Sequence, residues 1–196
     1  MASNVSEKFG LRPYRKLDGT PLVGAQNRYI IKGGYATAIY QGDLVKPTST
    51  GHIERHTHNT SAAVVGVFNG VFYNDPTTQK PTWSNYYPGG VTPTQGAITA
   101  FIVDDPDAVF LVDANAAFSR GDLYKNYSVT NTTGVTETGI SKVQLAVGTS
   151  GTAGTFVVQA MDISQDPANS TEGAANNNIL VRINNHFYRQ GGTGLA

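Results

Sequence analysis

The chain has 196 residues, and its 14 Lys and Arg balance its 14 Asp and Glu to a formal net charge of zero. That balance argues against a nucleic-acid partner, which needs a basic excess to displace counterions. The chain has no cysteine, so disulfides, Cys-ligated zinc, iron–sulfur clusters and thiol catalysis are excluded, and no stretch approaches the roughly 18–20 apolar residues of a membrane span.

Charged residues make up 14% of the chain, against about 25% in an average soluble protein. Ten tyrosines and abundant Thr, Asn and Gly take their place. Such a surface is made for contact rather than for mutual repulsion. The length suits one domain and is enough to bury a core without covalent staples.

Residues 1–16 hold no apolar signal core, so no secretory peptide is expected. Residues 1–20 are predicted as an extended N-terminal arm, with Phe9, Arg12, Tyr14 and Arg15 as contact candidates. Two readings of the arm stand: a solvent-exposed basic segment, or one whose anchors Phe9, Leu11 and Tyr14 order by docking on a neighbour.

A single β domain is expected over 21–190, followed by a tail over 191–196. Its apolar residues come in short runs rich in Val, Ile, Thr, Phe and Tyr, split by Gly, Pro, Asn and Asp, which is the pattern of strands. Strands are predicted over 26–32, 43–47, 53–58, 63–73, 97–103, 108–112, 123–130, 143–147, 155–163 and 179–184. Asn69-Gly70 marks a bulge or tight turn inside the fourth of them. Many short strands with such turns imply an all-β fold, either a β-barrel or β-tulip or a β-sandwich with long loops. Gly42-Asp43-Leu44-Val45-Lys46 is echoed by Gly121-Asp122-Leu123-Tyr124-Lys125, and a shared turn opening two similar lobes would explain the repeat. Residues 74–96 carry Pro76, Pro81, Pro88 and Pro93 and are expected to form a long ordered loop rather than a ladder. Trp83, Tyr86 and Tyr87 in this loop are further contact candidates.

The search for chemistry starts at His52-Ile53-Glu54-Arg55-His56-Thr57-His58. On a strand His52, His56 and His58 share a face with Glu54, a donor set suited to zinc, iron or copper. The cupin pattern that such a pair suggests is not completed downstream, so the histidines are read as edge-strand residues and no metal or cofactor is expected. Asp104-Asp105-Pro106-Asp107 lies between two apolar runs and is read as a turn. There is no G-x-S-x-G and no phosphate-binding G-x-x-x-x-G-K-[ST], and Arg120-Gly121-Asp122 is too short a match to carry meaning.

Several segments, in order along most of the chain, resemble a family of small structural proteins of tailed bacteriophages. They are Phe9-Gly10-Leu11-Arg12-Pro13, Gly42-Asp43-Leu44-Val45, Val65-Gly66-Val67, Val103-Asp104-Asp105-Pro106-Asp107 with Phe110, and Val181-Arg182-Ile183-Asn184-Asn185-His186. The resemblance implies a non-enzymatic capsid decoration, or cement, protein. It would be made in the host cytoplasm and carried on the outer surface of the virion. Its partners would be the major capsid protein and neighbouring copies of itself, as dimer or trimer. The 74–96 loop is longer than that family leads one to expect. Two other readings are weighed beside it: a tail or receptor-binding component whose aromatic loop stacks on glycan, and a cupin-like metal-dependent enzyme centred on His52, His56 and His58.

Overall fold

The short apolar runs fold as strands, as their alternation requires, and they assemble into two sheets. The computed structural model describes residues 4–57, 62–152, 154 and 156–189. In chain order its strands are β1 (Arg12–Lys16), β2 (Gln26–Ile31), β3 (Leu44–Pro47), β4 (Ile53–Arg55), β5 (Gly66–Asn74), β6 (Pro81–Ser84), β7 (Ile98–Val103), β8 (Ala108–Asp113), β9 (Asn126–Val129), β10 (Leu145–Gly151), β11 (Val158–Ile163) and β12 (Asn178–Ile183). One sheet runs β3-β4-β2-β7-β5-β6, and an additional β3–β5 pairing closes its first five strands into a barrel. The other runs β1-β8-β12-β11-β9-β10. The fold is therefore all-β, and of the expected architectures the barrel is the one realised, joined to a second sheet.

There are two cores, one inside the barrel and one that the second sheet shares with Leu44, Val67 and Val103 of the barrel strands. Phe68, Val71, Tyr87, Ile98, Ala100 and Ile102 fill the barrel interior. Phe110, Val112, Val158, Ala160, Ile179 and Val181 form the centre of the second core. The registers explain the second set: Phe110 pairs with Val181 and Val112 with Ile179, so residues two apart on β8 and β12 meet on one face. The β7–β8 connection joins the sheets, and its turn is the Asp104–Asp107 segment, where the Asp105 carboxylate accepts the Asp107 amide at 2.9 Å. The turn reading of the acidic cluster holds.

The sheets are also locked by a buried polar node. Asp43 is 1% exposed. Its carboxylate accepts hydrogen bonds from Arg55 Nε at 2.9 Å, Ser141 Oγ at 2.6 Å and the Tyr40 amide at 2.9 Å. Arg55 Nη2 goes on to donate to the Thr132 carbonyl at 2.7 Å. Asp43 and Arg55 flank and form the barrel strands β3 and β4, whereas Thr132 and Ser141 lie in the connection between β9 and β10. Burial pushes the Asp43 carboxyl up, and the guanidinium, the hydroxyl and the amide draw it back.

Three expectations are corrected. The N-terminal arm is extended but does not stand free. Phe9 and Leu11 are 3% and 1% exposed within this chain, the Leu11 amide donates to Gly42 O at 2.9 Å, and Arg12–Lys16 pairs antiparallel with β8 as an edge strand. Gly10 makes that docking fit: at φ +71°, a Cβ there would meet Ser141 Cβ at 2.6 Å. Of the three anchors, Phe9 and Leu11 are buried by the rest of the domain, whereas Tyr14 stays exposed.

The 74–96 segment, next, is not all loop, because Pro81–Ser84 forms β6 against β5. Pro81 sits at the first position of an edge strand, where a missing N–H loses no ladder bond. The two Gly-Asp-Leu copies, finally, are not the same turn. Gly42 has φ +95° and opens β3, whereas Gly121 lies in a 3₁₀ turn, Arg120–Asp122, with Asp122 bonded to Ser119 and Lys125.

The two copies should therefore respond differently to the same substitution. Asp43→Ala leaves the Arg55 guanidinium buried without its carboxylate and is expected to cost about 3–5 kcal/mol. Asp122→Ala removes a partly exposed pair and is expected to cost about 0–1 kcal/mol. Urea unfolding midpoints measured at constant m-value check both; equal losses would remove the special role of the Asp43 node.

Candidate functional site

The candidate contact residues fall into three environments. Tyr87 is fully buried, its hydroxyl donating to the Tyr35 carbonyl at 2.8 Å, and it belongs to the barrel core rather than to a contact surface. Tyr86 is half-buried and stacks on Tyr40 with ring centroids 5.6 Å apart. Tyr14 and Trp83 are 55% and 60% exposed. Phe9 is buried with the Arg12 guanidinium 4.2 Å above its ring, and Arg15 is half-buried, donating to the Lys16 carbonyl at 3.1 Å.

Trp83 does not act alone, and the barrel explains why. A bulge interrupts the β5–β7 register between Phe68 and Gly70. The extra residue, Asn69, shifts the alternation, so Phe68, Val71 and Tyr73 all enter the barrel while Gly70 and Phe72 face outward. On the outer face the registers align Ile30 with Thr99, Thr99 with Phe72, and Phe72 with Trp83, one residue from each of β2, β7, β5 and β6. Ile30 and Phe72 are 38% and 42% exposed. Beside this row Arg28 sits 6.0 Å over the Phe101 ring. The Trp83 indole lies over Gly70, where a Cβ would come within 2.9 Å of the ring. The indole thus packs close to bare backbone while most of it stays exposed.

The result is a row across four strands in which Ile30, Phe72 and Trp83 are exposed, with Arg28 beside it. Large aromatics with arginine are the residues that dominate binding interfaces. Ile30, Phe72, Phe101 and Arg28 were missed by the sequence reading. The signal that finds Phe72 is the Asn69-Gly70 bulge, since counting alternation through it assigns Phe72 to the outside; Ile30, Arg28 and Phe101 join the row only through strand pairing.

The histidine cluster is not assembled as a face. Strand β4 ends at Arg55, Glu54 pairs with Lys46 at 2.9 Å, His52 Nδ1 contacts Thr50 Oγ1 at 3.0 Å, and His56 is buried at 5% exposure. His58 lies outside the described residues. Among the described residues no group of three or more His, Asp or Glu is placed to hold a metal ion.

Two other groups have displaced titrations. His186 is fully buried and its pKa is lowered by burial, with its Nδ1 accepting the Tyr188 amide at 3.2 Å. Asp113 on β8 is fully buried, accepts from Gln144 Nε2 at 2.7 Å through one oxygen and leaves the other without a partner. Burial pushes its carboxyl up to about 6, the Gln144 bond opposing the shift.

Comparison with protein-family models, with curated proteins and with solved structures finds no match for this chain.

The Asp113 shift has a definite sign. The native state holds this proton where the unfolded chain has released it, so the contribution is present at low pH and is lost as pH rises from about 4 to about 6. Wild-type protein is expected to lose melting temperature relative to Asp113→Asn across that window and to run parallel to it below. Paired thermal scans check this; a constant difference between the two proteins at all pH values would show that Asp113 does not titrate there.

Proposed function

We propose that this protein is a non-enzymatic binding module that decorates and stabilises the exterior of a tailed-phage capsid. The observation that carries the binding part is the outward row Ile30–Thr99–Phe72–Trp83, whose three exposed large apolar residues run from barrel strands β2 and β5 onto the adjoining β6. The capsid as partner, and the virion as location, rest on the sequence resemblance. The physics of the role suits this surface. A shell under internal pressure is held by many modest contacts repeated over a lattice, so avidity rather than single-site affinity does the work. A chain of zero net charge can crowd at lattice positions without mutual repulsion. Neighbouring copies and the major capsid protein are the two partners this reading assigns.

Cryo-electron microscopy of the native particle tests the assignment directly. Density for this chain is expected at regular positions on the outer shell. Density confined to the tail would transfer the aromatic strip to host recognition and end the decoration reading.

A second measurement isolates the strip. The double variant Phe72→Thr with Trp83→Ser keeps the barrel interior intact, and losing aromatic anchors is expected to weaken co-sedimentation with undecorated shells by at least about tenfold. Unchanged co-sedimentation would remove the strip from the contact.

A further inference from the structure

Asp113 closes strand β8, and Asn178 opens β12 directly across from it in the antiparallel register. Such cross-strand partners share a face, with Cβ atoms about 4.5–5.5 Å apart. Asp113 and Asn178 are 0% and 2% exposed. Each uses one polar atom elsewhere: Asp113 Oδ2 accepts from Gln144 Nε2 at 2.7 Å, and Asn178 Nδ2 donates to Asp166 Oδ2 over a long 3.5 Å. What remains on the pair is two acceptors, Asp113 Oδ1 and Asn178 Oδ1, both buried and both without a hydrogen-bond partner.

Two buried oxygens on facing strands need a hydrogen between them, and the pair can supply one itself. A neutral Asp113 carboxyl carries an O–H that can donate to the Asn178 carbonyl. An ionised Asp113 carries only acceptors, and an unpaired buried acceptor is costly. The anion recovers a donor by turning the Asn178 amide toward it, which takes that N–H away from Asp166. Burial pushes the Asp113 carboxyl up to about 6, so the proton is held on the acid side of that value. The charged groups around it are Lys8 and Glu7 of the N-terminal segment, which act on it in opposite senses, and Asp166 beyond Asn178. Gln144, from the segment before β10, is neutral.

Asn178 stands at the neck of the loop between β11 and β12. Its amide donates to Asn169 O at 3.0 Å and its carbonyl accepts from the Ser164 amide at 2.8 Å. Inside the loop, the Asp166 carboxylate also accepts the Ala168 amide at 3.0 Å. The loop in turn holds the start of the described chain. Asn169 Oδ1 accepts the Val5 amide at 2.6 Å, Asn4 Nδ2 donates to Ala175 O at 2.9 Å, and Asn4 Oδ1 accepts the Thr171 amide at 3.1 Å. We propose that Asp113 and Asn178 form a proton-operated latch: the neutral carboxyl donates to Asn178 and keeps the loop closed on Asn4 and Val5, and ionisation draws Asn178 from Asp166 and weakens that hold. The sign follows from linkage. The native state binds this proton more tightly than the unfolded chain, so the hold is full below about pH 4 and is lost as pH rises through about 6. The latch is independent of the Trp83 strip and of what the strip binds.

Amide hydrogen exchange of the full chain, followed by NMR, tests the latch, because the Val5 and Thr171 amides each donate to a side chain of this assembly. Their protection factors, corrected for the intrinsic pH dependence of exchange, are expected to fall about tenfold between about pH 4.5 and about pH 7.5. The Thr78 amide, held by the Asp75 carboxylate in the β5–β6 turn, serves as control and is expected not to change. Asp113→Asn carries a permanent N–H in place of the acid O–H and is expected to keep the acid-side protection at every pH. The carboxyl carbon shift of Asp113 reads the other half of the pair: in Asn178→Ala its titration midpoint is expected to move down by about one pH unit. Constant protection in wild type, or an equal fall in Asp113→Asn, would overturn the latch. So would a midpoint indifferent to Asn178→Ala. Titration of wild-type Asp113 at about 4, the ordinary carboxylate value, would overturn it as well, since a water bridging the two oxygens would then supply both hydrogens.

Discussion

A carboxylate removed from water has to be given donors, and the burial of Asp43 is the constraint around which the two halves of this molecule are arranged. Its partners come from separate places: Arg55 from the barrel, Ser141 from the connection between β9 and β10, and an amide from its own turn. Arg55 then holds Thr132. A buried ion pair contributes little net stability, since desolvation cancels most of the attraction. Its effect is on geometry, because any arrangement that separates the barrel from residues 130–144 strands a charge in an apolar interior. The N-terminal strand is fitted into the same place, with Gly10 packed between Ser141 and Gly42. The arm, the barrel and the second sheet therefore meet at one node.

The second determinant is a single extra residue. Asn69 is the bulge in β5, and the phase change it introduces has two consequences on two sides of the barrel wall. Outward, it leaves Gly70 as bare backbone beneath Trp83 and turns Phe72 to solvent, which makes the aromatic strip. At the bulge itself, the unpaired Asn69 accepts a hydrogen bond from Gln41 Nε2 at 2.8 Å. Bulges commonly re-aim side chains next to functional surfaces. Here one irregularity shapes the candidate contact surface.

The strip is built on strands rather than on loops, so its geometry is held by ladders and by a filled core. A contact surface of this kind loses little conformational entropy when it is engaged. The aromatics that lie in the proline-rich segment illustrate the division of labour. Tyr87 and Tyr86 fasten that segment to the barrel through Tyr35 and Tyr40, and Trp83 alone of the three remains available to a partner.

The amino-acid sequence by itself determined the fold class, the positions of ten of the strands, the turn at Asp104–Asp107 and the irregularity at Asn69-Gly70. These depend on alternation and turn chemistry, which act over a few residues and can be read locally. Strand β1 was hidden because its pairing partner, β8, lies nearly a hundred residues away, and β6 because prolines mask an edge strand that only its neighbour reveals. In sequence Phe9 and Tyr87 look like contact residues, and both are in the core. Whether an aromatic is buried or offered depends on what other segments cover it. Likewise, the registers that bring Ile30, Thr99, Phe72 and Trp83 into one row, and the approach of Asp43 to Ser141, exist only once strands distant in the chain have paired. Local side-chain chemistry is legible in one dimension; the pairing of distant segments was settled by burial and by the satisfaction of polar groups in three.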